Sequence, residues 1–186
     1  MAFGALKVRV LGDPCLRRKS RPVKEIGPVE RMLIASLFAT MQEHKGIGLA
    51  APQVGVNEQI FVVDAGKEVF AVVNPRILKS EGTDAVEEGC LSIPHLHVKV
   101  KRAKKVLVEF TDENNRRFRA ELSGLTAKVF QHETDHLNGK LIIDYLPPAK
   151  MAQVLKQIKD GVFPPEADQP LADTGKKKDN ADARKI

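Results

Sequence analysis

Residues 131–139 read QHETDHLNG, with two histidines, His132 and His136, four positions apart and Glu133 directly after the first. They close a longer segment, SGLTAKVFQHETDHL at 123–137, whose apolar spacing predicts a helix that Ser123 is suited to cap and Gly139 to stop. Four residues advance a helix by about 400°, so both imidazoles leave one side a turn apart, at a spacing that lets them reach a single metal ion. Glu133 is rotated from His132 by about 100°, close enough to handle the proton of a nearby water without being a ligand itself. Leu125 and Val129 continue the histidine stripe and turn it inward, where unpaired polar groups are costly.

A catalytic metal commonly has three protein ligands and one open position, so the pair needs a partner. Downstream none is available. The third histidine of an HExxHxxGxxH pattern would fall on Ile142, and no glutamate occurs between Glu133 and Glu166. Upstream, EEGCLSIP at 87–94 offers Cys90. A lone cysteine reads first as a small buried hydrophobe, and Cys15, beside Pro14 in a basic segment, keeps that reading. For Cys90 the vacant place in the metal shell favours a thiolate ligand.

The remaining chain supplies the elements around this helix. Residues 28–44 form an amphipathic helix with Val29, Met32, Leu33, Leu37 and Met41 as its stripe and Pro28 in its first turn. After it, KGIGLAAPQVGV is small and apolar except for Gln53. The runs QIFVVD, VFAVVN, RILKS, KKVLVEFTD and RRFRAELS are strand-like, the last two flanking ENN as a hairpin. A third helix covers 148–160, with Met151, Val154, Leu155 and Ile158 apolar.

Composition narrows the classes. The 186 residues suit one domain with an appendage. Residues 1–165 are expected to hold the catalytic domain, and 166–186, almost without large apolar side chains, to be a disordered tail. There is no tryptophan and one tyrosine, which argues against binding through a broad aromatic face. Two cysteines are too few for a disulfide framework, and the N-terminus has no signal-peptide core, so a cytoplasmic location is expected. No apolar run is long enough to span a membrane. The formal charge of +6 favours polyanions without implying sequence-specific nucleic-acid binding.

Three segments, GIGLAAPQ (46–53), EGCLS (88–92) and QHETDHLNG (131–139), together resemble the motifs of peptide deformylases, in order and at similar spacing. The resemblance extends from the N-terminal DPCLRRKSRPV to about residue 160. It implies an α+β fold, with antiparallel β-sheets around the central HExxH-bearing helix, an N-terminal packing helix and a C-terminal helix. It also implies that Cys90, His132 and His136 hold one divalent metal ion per chain, commonly Fe2+, with Zn2+, Ni2+ or Co2+ as replacements. A thiolate with two imidazoles suits several of these ions and does not choose among them.

By the same resemblance, the reaction is removal of the formyl group from N-terminal formylmethionine of nascent peptides. Glu133 moves the proton, while Gln53 and the backbone N–H of Leu91 receive the oxyanion. The peptide lies along Gly48, and Ile47, Val86, Leu125 and Val129 line a methionine pocket or, equally, serve as ordinary core. Arg102 and Asp135 are candidates either for a charged pair steadying the site or for solvated groups. One departure stands out: HLH at 95–97 occupies a place where relatives often carry arginine, leaving His95 and His97 as surface groups or adventitious ligands. Two other readings stay open, a zinc endopeptidase and a non-catalytic RNA- or ribosome-binding protein using KVKRAKK (99–105). Ribosome docking in addition to catalysis would draw on Lys150, Lys156 and Lys159.

Overall fold

A computed structural model of the chain describes residues 4–66 and 68–160. The tail expected at 166–186 lies outside the described residues. The elements run α1 (Pro28–Glu43), β1 (Gly48–Ala50), β2 (Ile60–Asp64), β3 (Val69–Glu81), β4 (Asp84–Cys90), β5 (Ile93–Arg102), β6 (Lys105–Thr111), β7 (Arg117–Ser123), α2 (Gly124–Leu137) and α3 (Pro148–Lys159). Short 3-10 turns at Pro14–Arg17, Ala51–Val54 and Ile142–Tyr145 connect them. The expected α+β arrangement is present, with every strand pair antiparallel.

The larger sheet has the order β1-β2-β3-β6-β7, and β4 and β5 form a separate hairpin. Strand β2 explains how the layers meet. Its residues alternate between two faces with period two. Phe61 and Val63 join a cluster with Ala127, Val129 and Phe130 of α2, while Ile60 and Val62 join Ile34, Leu37 and Met41 of α1. Both faces are covered, which is why the strand reads as a continuous apolar run. Phe61 and Phe130 meet edge to face with centroids 5.1 Å apart, and each fully buried ring contributes about 1.5–3 kcal/mol. The other side of α2 faces the β4–β5 hairpin, whose Cys90, Ile93, Val98 and Val100 pack with Leu141, Ile142 and Ile143.

Several local expectations need correction. In α1, Val29 and Met32 are 73% and 55% exposed, and the buried face is Ile34, Leu37, Thr40 and Met41. Met32 is five residues from Leu37, about 140° around a helix, and therefore belongs to the outer side. In α3 Val154 alone is buried and Leu155 is exposed, because only one side of that helix meets the body. VFAVVN and RILKS form one strand, β3, irregular between Val73 and Arg76, where Pro75 cannot donate to the sheet. Ser123 occupies the N-cap of α2, yet its side chain makes no capping bond.

The hairpin β4–β5 escaped the sequence reading. Its register pairs Val86 with Val100 and Glu88 with Val98 before a shift brings Cys90 opposite Ile93. The alternation of buried Val98, Val100 and Arg102 with exposed His97, Lys99 and Lys101 was the available signal. His95 and His97 are exposed, in keeping with the surface reading.

Candidate metal centre

Helix α2 sets the His132 and His136 rings 5.0 Å apart at an angle of 71°. Strand β4 ends at Cys90, whose Sγ lies 3.2 Å from His136 Nε2. One ligand atom from each of the three residues lies within 4.8 Å of the other two, and all three residues are buried. His132 is oriented from behind. Its Nδ1 lies 3.0 Å from Glu88 Oε2 and donates to that carboxylate, which leaves Nε2 with a lone pair. That Nε2 is buried and has no hydrogen-bond partner. A lone pair so placed is costly unless a cation accepts it, so the donor set fits a metal ion.

The electrostatics agree. Burial pushes the Cys90 thiol up to about 12, against the pull of the Ser92 and Ile93 backbone N–H groups. A bound cation reverses that balance, since a coordinating thiol is deprotonated. Burial, and then the neighbouring His132, hold His136 well below its ordinary range, so its ring is neutral and able to donate a lone pair.

Glu133 is 1% exposed and neither carboxylate oxygen has a partner. Burial, reinforced by the charge of Glu88, raises it well above the usual carboxylate range. Gly48 of β1 abuts it: a Cβ there would collide with Glu133 Oε1 and stand 2.8 Å from Val129 Cγ1. Gln53 is fixed at both ends of its amide. Its Oε1 accepts the Ala50 N–H at 2.8 Å, and its Nε2 donates to Ser92 Oγ at 3.2 Å while facing Cys90 Sγ at 3.6 Å. Leu91 forms the turn after Cys90, its side chain against Gly46.

The four methionine-pocket candidates divide. Ile47 and Val129 sit in one buried cluster, whereas Val86 is half-buried on β4 and Leu125 is 37% exposed in the first turn of α2, both outside that cluster.

Two residues were missed. Glu88 is fully buried, and its two oxygens accept Arg102 Nε at 2.7 Å and Nη2 at 2.8 Å in addition to His132. Burial raises its carboxyl, and the bonds from Arg102 and His132 more than reverse this. It stands two residues before Cys90 on β4, but the strand is irregular between the two and Glu88, Gly89 and Cys90 are all buried, so alternation alone did not disclose it. Tyr145 is the other: its hydroxyl donates to Asp135 at 2.6 Å, and Asp135 accepts Arg102 Nη1 at 2.6 Å. Arg102 and Asp135 therefore form the charged pair that the sequence left open.

A sequence model of the family described as polypeptide deformylase matches residues 5–152. A peptide deformylase of Thermotoga neapolitana is 44% identical over 155 residues, covering 83% of this chain and 94% of the relative. The crystal structure of a peptide deformylase from Legionella pneumophila superposes with a TM-score of 0.79 at 39% identity, covering 84% of this chain and 95% of that one. A class I type b peptide deformylase from Acinetobacter baumannii, solved with Met-Ala-Ser bound, gives a TM-score of 0.74 at 30% identity, covering 78% of this chain and all 100% of that one. With a family match across the whole metal-bearing body and relatives covered nearly end to end, this chain belongs to the polypeptide deformylase family.

Proposed function

We propose that the chain hydrolyses the N-formyl group of formylmethionyl nascent peptides, releasing formate and a free amino terminus. The observation that carries this reading is the buried set of Cys90, His132 and His136 with its unpaired nitrogen, beside a Glu133 whose oxygens are also unpaired. A bound divalent ion supplies Lewis acidity, which polarises oxygen and makes water a nucleophile near neutral pH. Glu133 takes a proton from the attacking water as its oxygen bonds to the formyl carbon. Gln53 Nε2, through the N–H that faces Cys90 Sγ, and the Leu91 backbone N–H donate to the oxyanion, while the bonds to Ala50 and Ser92 hold the Gln53 amide in place. As the C–N bond breaks, Glu133 returns its proton to the leaving nitrogen.

Strand β1 ends the larger sheet, so a peptide lies beside Gly48 in extended form, with methionine toward Val86, Leu125, Ile47 and Val129. The Acinetobacter baumannii relative was solved with Met-Ala-Ser bound, which supports a peptide that begins with methionine as the ligand. For the ion we propose Fe2+, replaceable by Zn2+, Ni2+ or Co2+, since one thiolate and two imidazoles accommodate all four. Ribosome association through the exposed Lys150, Lys156 and Lys159 of α3, and a cytoplasmic location, complete the proposal. No helix among the described residues is long and apolar enough to cross a membrane. The endopeptidase reading loses ground, because Ile142, where its third histidine would stand, is buried in the apolar cluster around Leu141.

The test is formate release from a formyl-Met peptide under anaerobic conditions, with metal content measured in parallel. The parent should be active with about one metal per chain, and Cys90→Ser should hold clearly less metal and lose activity with it. A parent that loads metal yet releases no formate with any of the four ions would refute the proposed reaction.

Gly48→Ala gives a second, geometric prediction. The added methyl must displace the Glu133 carboxylate or the Val129 side chain, and misplacing a reacting group by about 1 Å costs about a hundredfold. We expect kcat/KM to fall about that much with metal content unchanged; a loss under about threefold would mean that Gly48 does not constrain Glu133.

A further inference from the structure

We propose that Tyr145 is a positioning residue for the metal centre, its hydroxyl fixing the Arg102 guanidinium that orients Glu88 and, through Glu88, the His132 ring. The inference rests on the reading of Cys90, His132 and His136 as metal ligands.

The contacts form a continuous path. Arg102 is buried and lies between two acceptor sites. Nε and Nη2 fork onto Glu88, while Nη1 donates both to Asp135 Oδ2 at 2.6 Å and to the Tyr145 hydroxyl at 2.9 Å. The hydroxyl donates its own O–H to the same Asp135 oxygen at 2.6 Å. Arg102, Asp135 and Tyr145 thus close a triangle at the end of the guanidinium remote from the metal. Only a guanidinium held at both ends gives Glu88 one orientation, and Glu88 is the partner of His132 Nδ1.

Tyr145 is itself held in place. Arg102 Cζ lies 4.9 Å and Lys140 Nζ 3.7 Å from its ring centroid, so the ring interacts with two cations. The 3-10 turn that carries it is anchored by buried Ile142 and Ile143. Asp144 ties that turn down further by accepting the Leu141 N–H at 2.8 Å and Arg17 Nη1 at 2.6 Å. Burial, and then the bond to Asp135, keep the phenol protonated beyond its ordinary range, so it remains a donor. Without the hydroxyl, Arg102 Nη1 keeps only its direct bond to Asp135, a side chain about one fifth exposed that has lost its own second partner and is freer to turn toward water.

Tyr145→Phe keeps the ring and removes only the hydroxyl. The experiment loads parent and variant with Co2+, then follows release of the ion to excess chelator, the cobalt absorption bands and the melting point of the metal-free protein. Loss of an outer partner of a metal ligand weakens binding about 10- to 100-fold, and Tyr145 acts through intermediaries, so release about tenfold faster is expected, with altered cobalt bands. Asp135→Asn should also release Co2+ faster than the parent. Parental release rates and bands in Tyr145→Phe, or a parental rate in Asp135→Asn, would overturn the proposal even if the melting point fell, because the contacts would then serve packing alone. A parent that takes up no Co2+ would overturn the metal reading and this inference together.

Discussion

Glu133→Gln is expected to leave the metal content at the parental level while turnover falls about 10²- to 10⁴-fold, the usual contribution of a positioned acid or base. The two halves of this result have separate causes. Metal is retained because the ligand set is Cys90, His132 and His136, and Glu133 is not part of it. Turnover is lost because an amide neither takes a proton from water nor returns one to the leaving nitrogen. Glutamine is the informative replacement: it fills the same space against Gly48, where an added Cβ already has no room. The metal-free variant should be no less stable than the parent, since the side chain it replaces is a buried carboxyl with neither oxygen bonded. Metal analysis, steady-state kinetics and thermal unfolding of the two proteins suffice. If Glu133→Gln kept more than about a tenth of parental turnover, the proton would have to travel by another group.

How far the sequence disclosed this depends on the range of each interaction. His132, Glu133 and His136 were legible because their relation is helical and local, and four-residue spacing is a strong signal. The hairpin of β6 and β7 was legible from its alternation around ENN. Cys90 required an argument from the vacant third place. Glu88 was not legible as a buried group, because acids in a strand as polar as DAVEEGC are ordinarily solvated; Arg102 brings it inside from 14 positions away. Tyr145 joins Arg102 across 43 positions, a separation that no local pattern encodes. Met32 was misplaced for a plainer reason, an apolar residue counted onto a stripe whose helical phase excludes it. What escaped the sequence was thus mainly the set of charges that hold the ligands in place.

That set yields the second large effect. Arg102→Met should destabilise the protein by about 3–5 kcal/mol, the cost of breaking a buried ion pair from one side. The loss is asymmetric. Asp135 is partly exposed and can be solvated, but Glu88 is fully buried and would keep only the His132 Nδ1 bond for a full charge. At this chain length a loss of that size lowers Tm by on the order of 10 °C. The double variant Arg102→Met/Glu88→Gln should recover most of the stability, because no fully buried charge is then left unpaired and the glutamine oxygen still accepts from His132 Nδ1. It should not recover metal affinity. A neutral amide polarises the imidazole less than a carboxylate does, so the ion should bind about 10- to 100-fold more weakly than in the parent. Thermal unfolding and metal competition on the two single variants and the double one form a double-mutant cycle that separates these effects. Additive stability losses would mean that Arg102 and Glu88 act independently. Parental metal affinity in the double variant would mean that Glu88 holds the fold together without tuning its ligand.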